Sequence, residues 1–417
     1  MEIAHPLEAG RAHPVLEDRQ LSTGWSSRAD VLRSAVPLRG EETAMEATSH
    51  IPGSEPGLSM FSAQARELVK GKHVTIPAGK IRVAYRTGKG GGVGTMYQAW
   101  IEDFLESKLA GKYRGKVALI FTSPPFPLNR KKNYGNFQGD DYLTWLGRLA
   151  PKLRDLLTPD GSIVIEVGNA WEAGSPVMAT LPLEALLKFK SSGELKLCQQ
   201  FVGYNTARLP APIEWVNVRR IRVKDAFTNI WWMSPVEYPK ASNRRVLVPY
   251  SESMKELIRT GKYNAGRRPS EYVIGKKSFS KDNGGAIPPS VIQVAPDGRE
   301  TPHNVLEFAN TSASDPYQNR VVKGRDLQEH LERKHPARMH PSIADFFIRM
   351  LTEEGDLVLD PFAGSNTTGA NAQRLGRRWV AVEPNRSYIR GSLGWFQRKK
   401  QSPVRGGPTL TSTGRPA

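Results

Sequence analysis

Residues 357–383 hold the pattern that most restricts what this chain can become. A short apolar run, Leu357-Val358-Leu359, meets a glycine-bearing turn, Asp360 to Gly369. A helical stretch follows, and a second apolar run, 376–383 (GRRWVAVE), ends in Glu383. This is a β-α-β unit, whose two strands lie parallel with the helix packed on the sheet. A further run, Val117-Ala118-Leu119-Ile120-Phe121, is stopped by Thr122-Ser123-Pro124-Pro125-Phe126. Neither proline can donate to a sheet ladder and each fixes its own φ. The strand therefore ends in a stiff loop with a hydroxyl, open carbonyls and an aromatic ring. In open α/β sheets, ligands bind at the carboxyl ends of the strands. The Ser123 loop suits holding a planar, amino-bearing ring.

Elsewhere the periodicity predicts helices over Tyr97–Leu109, Tyr142–Leu157, Leu181–Phe189 and Ile343–Leu351, with a turn at Pro159-Asp160-Gly161. Strands are expected at Ser162–Val167 and Thr228–Met233. Residues 1–60 show no sustained period and read as a disordered extension. Structure is expected from about residue 61. From about 201 to 330 Pro, Gly, Asn, Lys and Arg dominate, with interleaved aromatics, which reads as a loop-rich insertion. Regularity returns over 331–400, and 401–417 read as a frayed tail.

Charge narrows the partner. The chain carries a formal +18, but residues 1–60 hold five arginines, no lysine and nine acidic residues, a net −4, which leaves +22 on the rest. Residues 201–280 alone have fifteen Lys/Arg against six Asp/Glu. A folded basic body points to a polyanion, most simply nucleic acid. No run of about 18 apolar residues predicts a membrane span, and the N-terminus lacks a secretory pattern. Cys198 is the only cysteine, so no internal disulfide or cysteine-based zinc site is expected, and a reducing cytoplasmic setting fits. The eight histidines form no H-E-x-x-H pattern, and no metal is expected.

In the turn Asp360-Pro361-Phe362-Ala363-Gly364-Ser365-Asn366-Thr367-Thr368-Gly369, glycine lets the backbone approach a ligand, and the helix start offers free N–H groups. Glu383 stands about 20 residues on, where an acid grips the hydroxyls of a ribose. Together these describe a nucleoside-containing ligand. The run Gly88-Lys89-Gly90-Gly91-Gly92-Val93-Gly94-Thr95 lacks the lysine of a phosphate-binding loop and reads as a flexible loop.

An SPPF loop followed by a DPFAGSNTTG turn resembles the S-adenosylmethionine-dependent DNA amino-methyltransferases. The order is similar to their circularly permuted β-group, and serine in the first loop position is similar to the cytosine-N4 branch. SPPFPLNRKKNYGN (123–136), LPAPIEWVNVRRIRVKDAFTNIWW (209–232), KSFSKDNGGAIPP (277–289) and HPARMHPSIADFFIRMLTE (335–353) extend the likeness to the PvuII type over roughly 110–395. The resemblance implies a Rossmann-like α/β fold with an inserted target-recognition region at 201–330. The catalytic part would be 61–200 and the cofactor part 331–400. It implies duplex DNA with one cytosine flipped from the stack.

By the same resemblance, Ser123 and the Pro124 carbonyl accept hydrogen bonds from the cytosine amine, beside Pro125, and Phe126 stacks on the ring. Asp360, Pro361, Phe362, Gly364, Ser365, Asn366 and Thr367 line the cofactor, Glu383 holds its ribose, and Arg338 lies near its carboxylate. Glu166, inside SIVIEV, is either a proton acceptor or a strand-end carboxylate with a structural partner. Arg219, Arg220, Arg222 and Lys224 alternate with Val218, Ile221 and Val223, and a strand there would present them to DNA. Lys281 and Asn283 sit in a turn able to enter a groove, where Asn283 either reads adenine or caps the turn. Trp215, Trp231 and Trp232 read as core. Cys198 lacks the setting of a ring-attacking nucleophile, which disfavours cytosine-C5 chemistry. The reading is a monomeric cytosine-N4 DNA methyltransferase partnered with a restriction endonuclease. The rivals are an adenine-N6 enzyme, an inactive DNA-binding protein on this fold, and an enzyme acting on RNA.

Overall fold

The structure is a computed structural model describing residues 75–88, 93–126, 139–205, 208–262, 266–275, 281–294 and 339–396. The expectations for 1–60, 401–417 and Arg338 fall outside the described residues.

The strands are β1 (Arg82–Thr87), β2 (Gly94–Gln98), β3 (Val117–Thr122), β4 (Leu157–Gly168), β5 (Lys196–Asn205), β6 (Phe227–Ser234), β7 (Gly266–Arg267), β8 (Val273–Ile274), β9 (Val291–Val294), β10 (Leu357–Asp360) and β11 (Arg378–Val382). The helices are α1 (Ile101–Glu106), α2 (Lys108–Gly111), α3 (Gly139–Arg154), α4 (Leu181–Ser192), α5 (Glu252–Thr260), α6 (Pro341–Leu351), α7 (Thr367–Arg374) and α8 (Arg386–Ser392). Nine strands form one mixed sheet in the order β1-β2-β11-β10-β3-β4-β6-β5-β9. The block β2-β11-β10-β3-β4 is parallel. β6 runs against both of its neighbours.

β3 is buried throughout, and apolar up to Thr122, because both its faces are covered. On one side Ile120, Ile163 and Ile165 meet Trp145, Leu149 and Leu153 of α3 and Phe189 of α4. On the other, Leu119, Phe121, Val164 and Val358 meet Phe346, Phe347 and Met350 of α6. The two crossovers leave the centre of the sheet in opposite directions: β3 leads through α3 to β4, and β10 through α7 to β11. The adjacent strands β3 and β10 thus form a topological switch point, the place at whose carboxyl ends open α/β sheets bind ligands.

Three expectations change. Tyr97 belongs to β2, and the helix beyond it starts at Ile101 and breaks at Ser107. The Ser107 hydroxyl ends one turn by donating to the Phe104 carbonyl and starts the next by accepting from Leu109 N–H. The turn at 159–161 is a bulge within β4, where pairing jumps from Val117↔Leu157 to Leu119↔Ser162. Thr228–Met233 lies in the main sheet between β4 and β5, since its Ile230 and Trp231 are buried.

Gly94 and Thr95 are also in a strand rather than a loop. A Cβ at Gly94 would come within 1.9 Å of the Trp379 indole, so this glycine serves packing. Gly94→Ala is expected to destabilise the fold by about 1–3 kcal/mol through overpacking, read as a lowered midpoint in thermal denaturation.

Candidate active site

Both turns singled out in the sequence open on one edge of the sheet, because β3 and β10 are parallel neighbours with Leu359 opposite Ile120. A buried hydrogen bond joins them: Thr122 Oγ1 donates to Asp360 Oδ1 at 2.8 Å. Asp360 is 5% exposed and accepts twice more, from Phe362 N–H at 3.1 Å and Thr368 Oγ1 at 2.7 Å. One carboxylate therefore shapes the glycine turn, the start of α7 and the residue before Ser123. Thr122 and Thr368 were missed in the sequence, since threonine at a strand end or helix start has no distinctive pattern.

The rest of the turn is built on Glu383, just past the end of β11. Its Oε2 accepts from Gly364 N–H and its Oε1 from Asn385 N–H, each at 2.8 Å. Gly364 has φ of +48°, which a side chain rarely adopts. Asn366 is fully buried and is the N-cap of α7, accepting from Gly369 N–H. Its amide donates to Tyr85 Oη at 3.0 Å, so both polar ends of its side chain have partners within the fold. Ser365 and Thr367 hydroxyls pair at 3.0 Å, and the Ser365 carbonyl accepts from the Trp395 indole. Pro361 is buried, and Phe362 packs against Trp145, with ring centroids 5.6 Å apart.

Burial pushes the Asp360 carboxyl up to about 6, although its three hydrogen bonds oppose the shift. Burial likewise pushes Glu383 up to about 7, and the nearby charge of Asp360 adds to the rise. A folded acid with a raised pKa holds more protons than the unfolded chain. Its contribution to stability is thus fully present at low pH and lost as pH rises through the window from about 4 to about 7. The ligand-free protein is expected to lose up to about 3 kcal/mol per group across that window. Asp360→Asn should flatten the slope between about pH 4 and 6 in chemical denaturation at several pH values.

In the first loop Pro124 is buried, while Ser123, Pro125 and Phe126 are half-buried. The Phe126 ring lies where a side chain at Gly168 would be, 2.8 Å from a Cβ built there. Gly168 is thus a residue of the site that the sequence did not announce. Thr122 pairs with Ile165, the last pair between β3 and β4, and Ser123 and Glu166 are each the next residue along their chains. Glu166 is buried, accepts from Thr228 Oγ1 at 3.1 Å, and is raised by desolvation against the opposing effects of Thr228 and the Arg208 charge.

The basic segment does not form the expected strand. Residues 214–218 make a single wide helical turn and 219–226 are irregular, with Val218, Ile221 and Val223 exposed rather than paired on a sheet face. Even so, β5 ends and β6 begins at the same sheet edge as the Ser123 loop, so the segment between them hangs over that edge. Arg219 is paired with Glu214, Arg220 has φ of +56°, and Lys224 donates to the Arg208 carbonyl. Lys281 and Asn283 lie on a separate exposed turn. There the Asn283 amide donates to the Lys281 carbonyl at 3.3 Å and its N–H donates to Tyr250 Oη, which is a capping arrangement. Trp231 and Trp232 are core, whereas Trp215 is half-buried beneath Arg219. Cys198 is half-buried near the start of β5, at the opposite sheet edge, and burial raises its thiol pKa.

A family model described as DNA methylase, for N6 and N4 methyltransferases, matches residues 117–393. The chain belongs to this DNA methylase family. The methylase is 41% identical over 279 residues to the type II methyltransferase M.PvuII of Proteus hauseri, covering 66% of this chain and 76% of that protein. Over 86 residues, 19% of this chain and 29% of its counterpart, it is 37% identical to the DNA adenine methyltransferase YhdJ of Escherichia coli. Among solved structures it resembles PvuII DNA methyltransferase (cytosine-N4-specific), with a TM-score of 0.56 and 31% identity, covering 77% of this chain and 91% of that one. The family match begins at the first residue of β3 and so includes both turns of the site. No helix among the methylase's described residues is long and apolar enough to cross a membrane, and no group of three or more potential metal ligands occurs among them.

Proposed function

We propose that this chain is a site-specific DNA methyltransferase that modifies the exocyclic N4 of cytosine in duplex DNA, with S-adenosylmethionine as donor. The observation that carries the reading is the Thr122–Asp360 hydrogen bond, which holds the SPPF loop and the glycine turn side by side. The likeness to a cytosine-N4-specific enzyme and the serine at 123 support N4 over N6.

The residues fit the donor. Glu383 has two oxygens with about four acceptor sites. Two are used by Gly364 and Asn385, which leaves two for a pair of ribose hydroxyls. Phe362 and Gly364 line the same turn, and the family resemblance assigns Arg338 to the carboxylate end. S-adenosylmethionine supplies a methyl group on a positively charged sulfur. Ser123 and the Pro124 carbonyl accept hydrogen bonds from the target amine, favouring a pyramidal nitrogen whose lone pair is free to attack. Phe126, seated on Gly168, stacks on the ring. Fixing this geometry is worth up to about 7–11 kcal/mol of barrier. Ser123 passes the amine proton towards Glu166, whose burial raises its proton affinity.

In this reading the catalytic unit precedes the cofactor unit, the permuted order of the β-group. The irregular segments between β5 and β9 form the target-recognition region. The enzyme works as a monomer in the cytoplasm, alongside a restriction endonuclease that cuts the same site. Nucleoside analysis of DNA modified in vitro tests the assignment. N4-methylcytosine is expected; N6-methyladenine alone would reject it in favour of adenine chemistry, and no modified base would leave a DNA-binding protein.

A further inference from the structure

Trp171 follows β4 by three residues and therefore stands at the same edge as Ser123. Its indole is half-buried and carries the Arg222 guanidinium on one face, 3.7 Å from the ring centroid. The backbone beneath is held as well: Trp171 bridges to Met178, and Arg222 N–H donates to the Trp215 carbonyl. Among the described residues no acceptor takes the Arg222 side-chain N–H groups, whereas Arg208 and Arg219 are each tied to an acid. A guanidinium stacked on an aromatic ring keeps its planar fork of donors directed outward, already ordered.

Position decides what that fork meets. Phe126 touches Gly168, and three residues span at most about 10 Å. With the indole and the stacked guanidinium added, Arg222 lies within about 20 Å of the Phe126 ring, or about six base pairs at 3.4 Å per step. An ordered, planar, partly desolvated donor pair this close to the reacting base matches the O6 and N7 acceptors of guanine in the major groove, the commonest base-specific contact of arginine. The same fork also fits a phosphate, so sequence preference is the property that separates the two.

We propose that Trp171 and Arg222 form a preassembled base-reading pair, a specificity-determining element that recognises a guanine within the target site. The inference rests on the chain acting on duplex DNA.

The test compares R222K, R222Q, W171A and W171F with the unmodified protein on a randomised DNA pool. It is read twice, on DNA selected by binding and on DNA that has been methylated. R222K and R222Q are expected to lose roughly 10- to 100-fold on the preferred sequence and to relax one guanine position within about six base pairs of the modified base. W171A should relax the same position, and W171F should retain most of the preference. S-adenosylmethionine binding by each variant, within a few-fold of the unmodified protein, shows that the fold survives. Full activity and unchanged preference in R222K would overturn the proposal and leave Arg222 a phosphate contact. A loss spread evenly over all sequences would overturn it too. Should the unmodified protein select a sequence yet methylate nothing, the methyltransferase reading fails while the base-reading pair is still judged on the bound pool. No selected sequence at all overturns the pair.

Discussion

Ser123→Ala is expected to lower the rate of methyl transfer by at least about 100- to 1,000-fold while leaving the fold within about 1 kcal/mol and cofactor binding within a few-fold. The separation follows from what the hydroxyl touches. Ser123 is half-buried at the start of the proline loop, and among the described residues its hydroxyl has no hydrogen-bond partner. Removing it orphans no buried group, so little stability is lost. The shape of the loop comes from Pro124, Pro125 and the Thr122 anchor, which the substitution leaves in place. What disappears is the acceptor that polarises the amine and passes its proton on. Single-turnover methyl transfer, thermal denaturation and cofactor titration on one preparation give the three readings. A variant that transfers methyl at near-normal rate would remove Ser123 from the chemistry. One that unfolds would make it a structural residue.

Asp360→Ala is expected to be among the most damaging single changes for the fold, at about 3–5 kcal/mol. It leaves two buried hydroxyls, of Thr122 and Thr368, and the Phe362 N–H without their acceptor. Each orphaned group costs about 1–3 kcal/mol, partly offset because a buried carboxylate with a raised pKa no longer has to be desolvated. Asp360→Asn separates the two effects. Its oxygen can accept from Thr122 and Phe362, and its amide can donate to Thr368 if that hydroxyl reverses. The asparagine variant should therefore stay within about 1 kcal/mol of the native protein near pH 4, and should be at least as stable near neutral pH, where the native carboxylate is ionised. Denaturant titration of both variants decides this; equal losses would show that the charge itself holds the two turns together.

Much of the site was legible because its residues punctuate regular patterns. Pro124 and Pro125 end an apolar run, Gly364 interrupts another, and Glu383 closes a third. Each is the residue type that a strand end facing a ligand demands. What stayed hidden were residues whose role depends on a partner far away in the chain. Thr122 and Asp360 are 238 residues apart yet share a hydrogen bond. Gly168 looks like an ordinary strand-end glycine until Phe126 is found in its place. Gly94 looked like a loop glycine because nothing local reveals the Trp379 ring lying on it. The alternation of Val218 to Lys224 suggested a strand, but no neighbouring strand pairs with it, and alternation without a partner does not make a sheet.

The sequence by itself determined the kind of chain this is: a parallel α/β core, two ligand-facing turns, a basic body and a family resemblance that runs through both turns and the segments between them. These are local properties, set by side-chain period, backbone preference and charge. Only the tertiary structure decided that the two turns open on one sheet edge, that Asp360 couples them, and that Arg222 is laid on Trp171 at that edge. Those facts depend on which strands become neighbours, and strand order is fixed by burying both faces of the sheet together, a balance to which every element contributes.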